Sequence, residues 1–91
     1  MKYSIVLFKD SNKGLSRLQQ EELMYNSPNA NILIKHVKSA ESKERALKDK
    51  VDKFPTIIIY DSDVEIYRHV GYIDSVNINK ILKEYETEHV V

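Results

Sequence analysis

At 91 residues, 42% hydrophobic and 31% charged, the chain is one domain in size, with a simple core and none of the compositional marks of disorder. Fourteen basic and fourteen acidic side chains cancel, so no net field draws the molecule to nucleic acid or to an anionic membrane. The absence of cysteine excludes disulfides, thiolate catalysis, cysteine-ligated zinc and iron–sulfur clusters together.

Tyr3 to Phe8 mixes β-branched and aromatic residues on both faces of a period-two pattern, which predicts a strand covered on both sides. Lys9 to Gly14 is turn chemistry. Leu15, Leu18, Glu22 and Tyr25, with Leu23 alongside, then follow helical spacing up to Asn26-Ser27-Pro28-Asn29, where proline disfavours helix in the residue before it. Ser11 or Asn12 is the expected cap of that helix, and Gly14 the residue that relieves a tight backbone. Asn31 to Val37 reads as a second strand. Between Glu41 and Lys53 the chain is strongly charged, but Ala40, Leu47 and Val51 form a narrow apolar stripe and Glu44 and Lys48 an i,i+4 pair, which predicts a short helix lying on the sheet.

Phe54-Pro55-Thr56 leads into Ile57-Ile58-Ile59-Tyr60, a central strand, and Asp61-Ser62-Asp63 turns it into Val64 to Val70, completing a β-hairpin. Glu65, Tyr67 and His69 alternate onto one face of that edge strand, expected to be the solvent side. After Gly71, Asp74 or Ser75 caps a last helix in which Ile78, Ile81, Leu82 and Tyr85 recur at three and four residues, and Thr87 to Val91 is expected to fray. The order β-α-β-α-β-β-α predicts an α/β domain with a four-stranded mixed sheet and helices on both faces.

No stretch approaches the roughly 18 apolar residues of a membrane span, and the start of the chain lacks the pattern of a signal peptide, so a soluble, cytoplasmic protein is expected. His36, His69 and His89 have no metal-ligand spacing, so neither metal nor cofactor is expected. Lys43, Arg45, Lys48, Lys50 and Lys53 interleave with Glu41, Glu44, Asp49 and Asp52 and read as a solvated helix face. Arg68 and His69 on the edge strand disfavour open pairing with a second copy, so a monomer is expected.

Phe54-Pro55-Thr56-Ile57-Ile58-Ile59-Tyr60, followed by a three-residue turn and Val70-Gly71 before the last helix, resembles the thioredoxin and glutaredoxin superfamily in its minimal, glutaredoxin-sized form. The resemblance covers nearly the whole chain and implies a cis bond between Phe54 and Pro55. It places Lys13-Gly14-Leu15-Ser16 where the family carries its Cys-X-X-Cys motif, and Leu7 where thioredoxins hold a buried aspartate. Both sulfurs of the exchange reaction and its proton carrier are therefore replaced. Gly71-Tyr72-Ile73-Asp74 is similar to the glutaredoxin segment that covers glutathione, but Asp10 stands where those enzymes have a lysine for the glutathione carboxylate.

The resemblance implies a scaffold stripped of its chemistry, and the expected function is a redox-inactive protein-binding module. The face expected to meet a partner comprises Lys13, Gly14, Leu15 and Ser16 with Phe54, Pro55, Gly71 and Tyr72, three segments that the fold brings together. Peptides pair with the residue before the family's proline, here Phe54, by strand addition. The alternative is a glutathione-type binding or transferase-like protein in which Ser11 or Ser16 orients a thiol. Abundant lysine, isoleucine and asparagine with two glycines suit an AT-rich genome, and a small cysteine-free relative of a host fold suits a bacteriophage protein that occupies a host protein.

Overall fold

The computed structural model describes residues 2–37 and 40–89, and of residues 40–42 and 89 the backbone only. The elements are β1 (Tyr3–Lys9), α1 (Gly14–Tyr25), β2 (Asn31–His36), α2 (Ala40–Lys48), β3 (Thr56–Asp61), β4 (Val64–Val70) and α3 (Ser75–His89). The sheet order is β2-β1-β3-β4, with β1 parallel to β2 and antiparallel to β3, and β3 antiparallel to β4. This is the mixed four-stranded α/β architecture that the element order predicts.

The two central strands have the continuous apolar runs that burial on both faces requires. Tyr3, Ile5, Leu7, Ile57 and Ile59 pack on one face against Leu23 of α1 and Ile78 and Leu82 of α3. Val6, Phe8 and Ile58 pack on the other against Ala46 of α2 and Val51. Helices α1 and α3 therefore share one face, and α2 covers the other.

Three local expectations are corrected. In α1 the apolar stripe does not face the core: Leu15, Leu18 and Tyr25 are 54%, 53% and 82% exposed, and the buried stripe is Ser16, Gln19 and Leu23. Gln19 is tolerated inside because its amide is fully used, Nε2 donating to the Ile73 carbonyl at 3.0 Å and Oε1 accepting from the Ile73 N–H at 2.7 Å.

In α2 it is Ala46 that is buried and Leu47 that is 79% exposed, while the side chain of Ala40 lies outside the described residues. The helix ends in a Schellman motif. Lys50 takes φ +57°, the Val51 N–H donates to the Ala46 carbonyl at 2.8 Å and the Lys50 N–H to that of Leu47 at 3.2 Å. This closure folds Val51 back onto Ala46, and the pair takes the core position that Leu47 would otherwise hold.

In β4 a bulge lies opposite Ile59 and Tyr60: Ile59 pairs with Tyr67, but Tyr60 pairs with Glu65. Tyr67 and His69 are thereby turned to the α1/α3 face, half-buried, with Tyr67 against the core and stacked on His69 at 6.4 Å. Glu65 is left on the α2 face, where Arg68 pairs with it at 2.9 Å and donates to the Asp49 carbonyl at 2.7 Å.

The last helix continues through His89, with the Thr87 hydroxyl donating to the Lys83 carbonyl at 2.9 Å; Val90 and Val91 lie outside the described residues. Its cap is Asp74, whose Oδ1 accepts from the Asn77 N–H at 2.8 Å.

Candidate functional site

Register places three loops at one end of the sheet. Phe8 is opposite Thr56 and Thr56 opposite Val70, so the chain leaving β1, the chain entering β3 and the chain leaving β4 emerge together. The Phe54–Pro55 peptide is cis, and the Gly71 N–H donates to the Pro55 carbonyl at 2.8 Å, tying two of the loops directly. Gly71 takes φ +95°, a region open to glycine and strained for side chains.

The third loop leads into α1. Lys13 is the N-cap residue, in extended conformation, and makes no side-chain cap. Neither expected cap residue performs that role. Asn12 accepts instead from the Lys9 ammonium, and the Ser11 hydroxyl donates to the Lys13 carbonyl at 3.2 Å. Gly14 takes φ +60° with open space where a side chain would begin, so its conformation and not crowding favours glycine.

The eight candidate residues divide by exposure. Lys13, Gly14, Leu15 and Tyr72 are exposed, and Phe54 and Gly71 partly so. Ser16 and Pro55 are buried and belong to the support beneath the face. Ser16, only 3% exposed, donates to Asp10 Oδ1 at 3.0 Å. A hydroxyl so placed is withdrawn from solvent, which removes Ser16 as the residue that would orient a bound thiol.

Phe54 also stands apart from the rest. It packs with Val37 against the α2-side core and lines a shallow groove of about 290 Å³ there, whereas Leu15 and Tyr72 lie on the α1/α3 side. The loops meet at one end of the sheet, but their aromatic residues point to its two faces.

Three residues outside the predicted set shape the site. Lys9, expected in a turn, is the last residue of β1 and only 5% exposed; its ammonium donates to the side-chain oxygens of Asn12 and Gln20, which pins the loop to α1. Gln19 fixes the 71–74 loop to α1 through Ile73. Glu22 accepts from the Ser75 N–H at 2.6 Å, at the positive end of α3. That hydrogen bond first, and one from Asn26 second, hold its carboxyl below the usual glutamate range.

Glu22 also locates the exposed apolar side chains. It shares one helical arc with Leu15, Leu18 and Tyr25 and touches the start of α3, where Val76 is 77% exposed. Tyr72, 41% exposed, is close enough to Glu22 and Asp74 for partial burial first and those carboxylates second to raise its phenol above the ordinary value. Leu15 and Leu18 on α1, Tyr72 before α3 and Val76 at its start are thus exposed apolar side chains of the two elements that Glu22 joins. Among the described residues there is no metal-binding cluster of three or more histidine, aspartate or glutamate side chains, and no helix long and apolar enough to cross a membrane.

No protein-family model and no curated protein sequence matches the chain. Solved structures do. It is similar to a thioredoxin variant from Halobacterium salinarum, with a TM-score of 0.78 at 15% identity over 92% of this chain and 74% of that one. It is similar to thioredoxin-2 of the malaria parasite, with a TM-score of 0.76 at 20% identity over 91% and 82%. An uncharacterised thioredoxin-like protein from Clostridium perfringens gives 0.75 at 24% identity over 90% and 69%. The fold is therefore thioredoxin-like. Without cysteine, this domain cannot exchange thiols and disulfides by the thiolate route.

Proposed function

We propose that the protein is a redox-inactive binding module that docks a protein partner through the face at the loop end of its sheet. Lys13, Gly14, Leu15 and Tyr72 make the contact, Phe54 extends it toward α2, and Ser16, Pro55 and Gly71 hold it in shape. The observation that carries this reading is the inverted α1 helix. It buries two polar side chains, Ser16 and Gln19, and leaves Leu15 and Leu18 more than half exposed, on the helix that Glu22 joins to the start of α3. A contiguous exposed apolar patch with a polar surround is the mark of an interaction surface. The buried polar groups bond within the chain, so the arrangement is a built feature.

The glutathione-type alternative has no observation in its favour, since Ser16 is buried and Ser11 is bonded to the Lys13 backbone. The same proposal includes action in the cytoplasm, as a monomer and as a phage protein directed at a host protein. Affinity capture from a bacterial lysate tests it. A single protein retained by the wild type and lost when Lys13→Glu, Leu15→Glu and Tyr72→Ala are combined supports the docking face, and the identity of that protein tests the host relationship. Capture unaffected by the three changes refutes it.

A further inference from the structure

The two edges of the sheet are unlike. β4 carries a bulge and the Glu65–Arg68 pair at 2.9 Å, devices that discourage the addition of a further strand. β2 is the other edge. It pairs with β1 in one unbroken register and has neither bulge nor proline, and its charged or titratable side chains, Lys35 and His36, stand at its last two positions.

The register fixes which backbone groups of β2 are unused. The Val37 N–H donates to the Lys9 carbonyl at 2.8 Å. The N–H and C=O of one strand residue point to the same side and successive residues alternate, so Leu33 and Lys35 also turn theirs to β1, while Ile32 and Ile34 turn theirs away. No hydrogen bond among the described residues reaches the outward groups of Ile32 and Ile34. The side chains along this edge are apolar on both faces. Ile32 and Ile34 pack at the margin of the α1/α3-side core, and Leu33, on the α2 face, is 45% exposed.

A row of backbone donors and acceptors is complementary to one kind of ligand, the backbone of another strand. β2 runs parallel to β1 and His36 lies beside Lys9, so β2 ends where the docking face is. Val37, the next residue, shares the shallow groove of about 290 Å³ with Phe54, which continues that face to the edge of β2. We infer that the partner held at the docking face also lays an extended segment along β2, as a fifth strand bonded to the backbone of Ile32 and Ile34. The inference rests on the docking reading and names the form of the partner there. A second copy of this chain fits less well, because pairing through so short an edge falls far below the roughly 1,000 Å² that a stable interface buries, whereas the strand of a partner already seated only extends its contact.

The probe is a capped hexapeptide of alternating threonine and valine, N-methylated at every second residue so that one hydrogen-bonding edge remains; the control peptide is N-methylated throughout. Amide chemical-shift titration should show saturable shifts, largest at the Ile32 and Ile34 amides, with a Kd on the order of 1 mM for the probe and none for the control. Ile34→Pro, which removes one outward N–H, should weaken binding about fivefold; should that variant not fold, the two peptides still decide. The inference is overturned if the probe does not saturate, if the control binds equally, or if the shifts fall on residues 64–70 or on the docking face instead. A wild type that sediments as a dimer, with Ile34→Pro a monomer, also overturns it by giving the edge to a second copy. In the complex with a captured partner, exchange at the Ile32 and Ile34 amides should slow at least about tenfold. Unchanged exchange there, with capture still lost by the Lys13→Glu, Leu15→Glu, Tyr72→Ala variant, overturns the strand and leaves the docking face standing.

Discussion

Replacing Gln19 with leucine tests the link between α1 and the 71–74 loop. The substitution keeps most of the side-chain volume and removes both hydrogen bonds to Ile73, at 3.0 and 2.7 Å. The Ile73 N–H and carbonyl are then left buried without partners, at about 1–3 kcal/mol each. The leucine gains apolar burial of roughly 1 kcal/mol over the amide it replaces, so the net loss is about 1–5 kcal/mol with a middle value of about 3 kcal/mol, a large part of the roughly 5–15 kcal/mol that holds such a domain together. A domain of this size loses about 4–8 °C of Tm per kcal/mol. Thermal unfolding followed by circular dichroism should therefore show Tm lowered by about 12–24 °C at the middle of that range, while Met24→Gln, on the exposed side of the same helix, changes it little. A Gln19→Leu protein as stable as the wild type would show that the clamp does not hold the loop, and the account of why α1 buries its polar stripe would fail.

Lys50→Gly should stabilise the domain by about 1 kcal/mol in urea unfolding, because Lys50 occupies a left-handed conformation that glycine adopts freely; an unchanged midpoint would contradict the Schellman closure. Glu22 has a lowered pKa in the folded state, so its stabilisation is present above the ordinary glutamate range and is lost as the pH falls through the folded value. The stability difference between wild type and Glu22→Gln, about 0.5–1 kcal/mol at pH 7 for a half-exposed group, should accordingly shrink progressively in unfolding curves taken at pH values falling below the ordinary glutamate range. Leu18→Glu should leave the Tm within about 4 °C of wild type, since Leu18 faces solvent, while weakening partner capture; a strong loss of stability would place Leu18 in the core.

Residues whose environment is set by near neighbours were legible in the sequence. The apolar runs Ile5-Val6-Leu7-Phe8 and Ile57-Ile58-Ile59 mark strands covered on both faces, and the turn residues between them set the element order. The phase of α1 was not legible, because Gln19 is buried for a partner 54 positions away. The face of Tyr67 and His69 depends on a bulge that alternation alone does not reveal. Ala46 displaces Leu47 because the helix closes through Lys50, a lysine where glycine would have been the readable signal. Within the site, the paired segments Pro55 and Gly71 were found from the resemblance. The buried Lys9 carries no local signal, since a lysine after a strand reads as the start of a turn.

The docking face is the central claim, and affinity capture with three proteins side by side addresses it most directly. These are the wild type, the Lys13→Glu, Leu15→Glu, Tyr72→Ala variant, and a Val64→Glu control altered at the exposed start of β4, at the other end of the sheet. The account predicts one partner retained by the wild type and the control and lost by the face variant. A partner retained by the face variant and lost by the control would place the binding surface at the opposite end of the sheet and contradict the account.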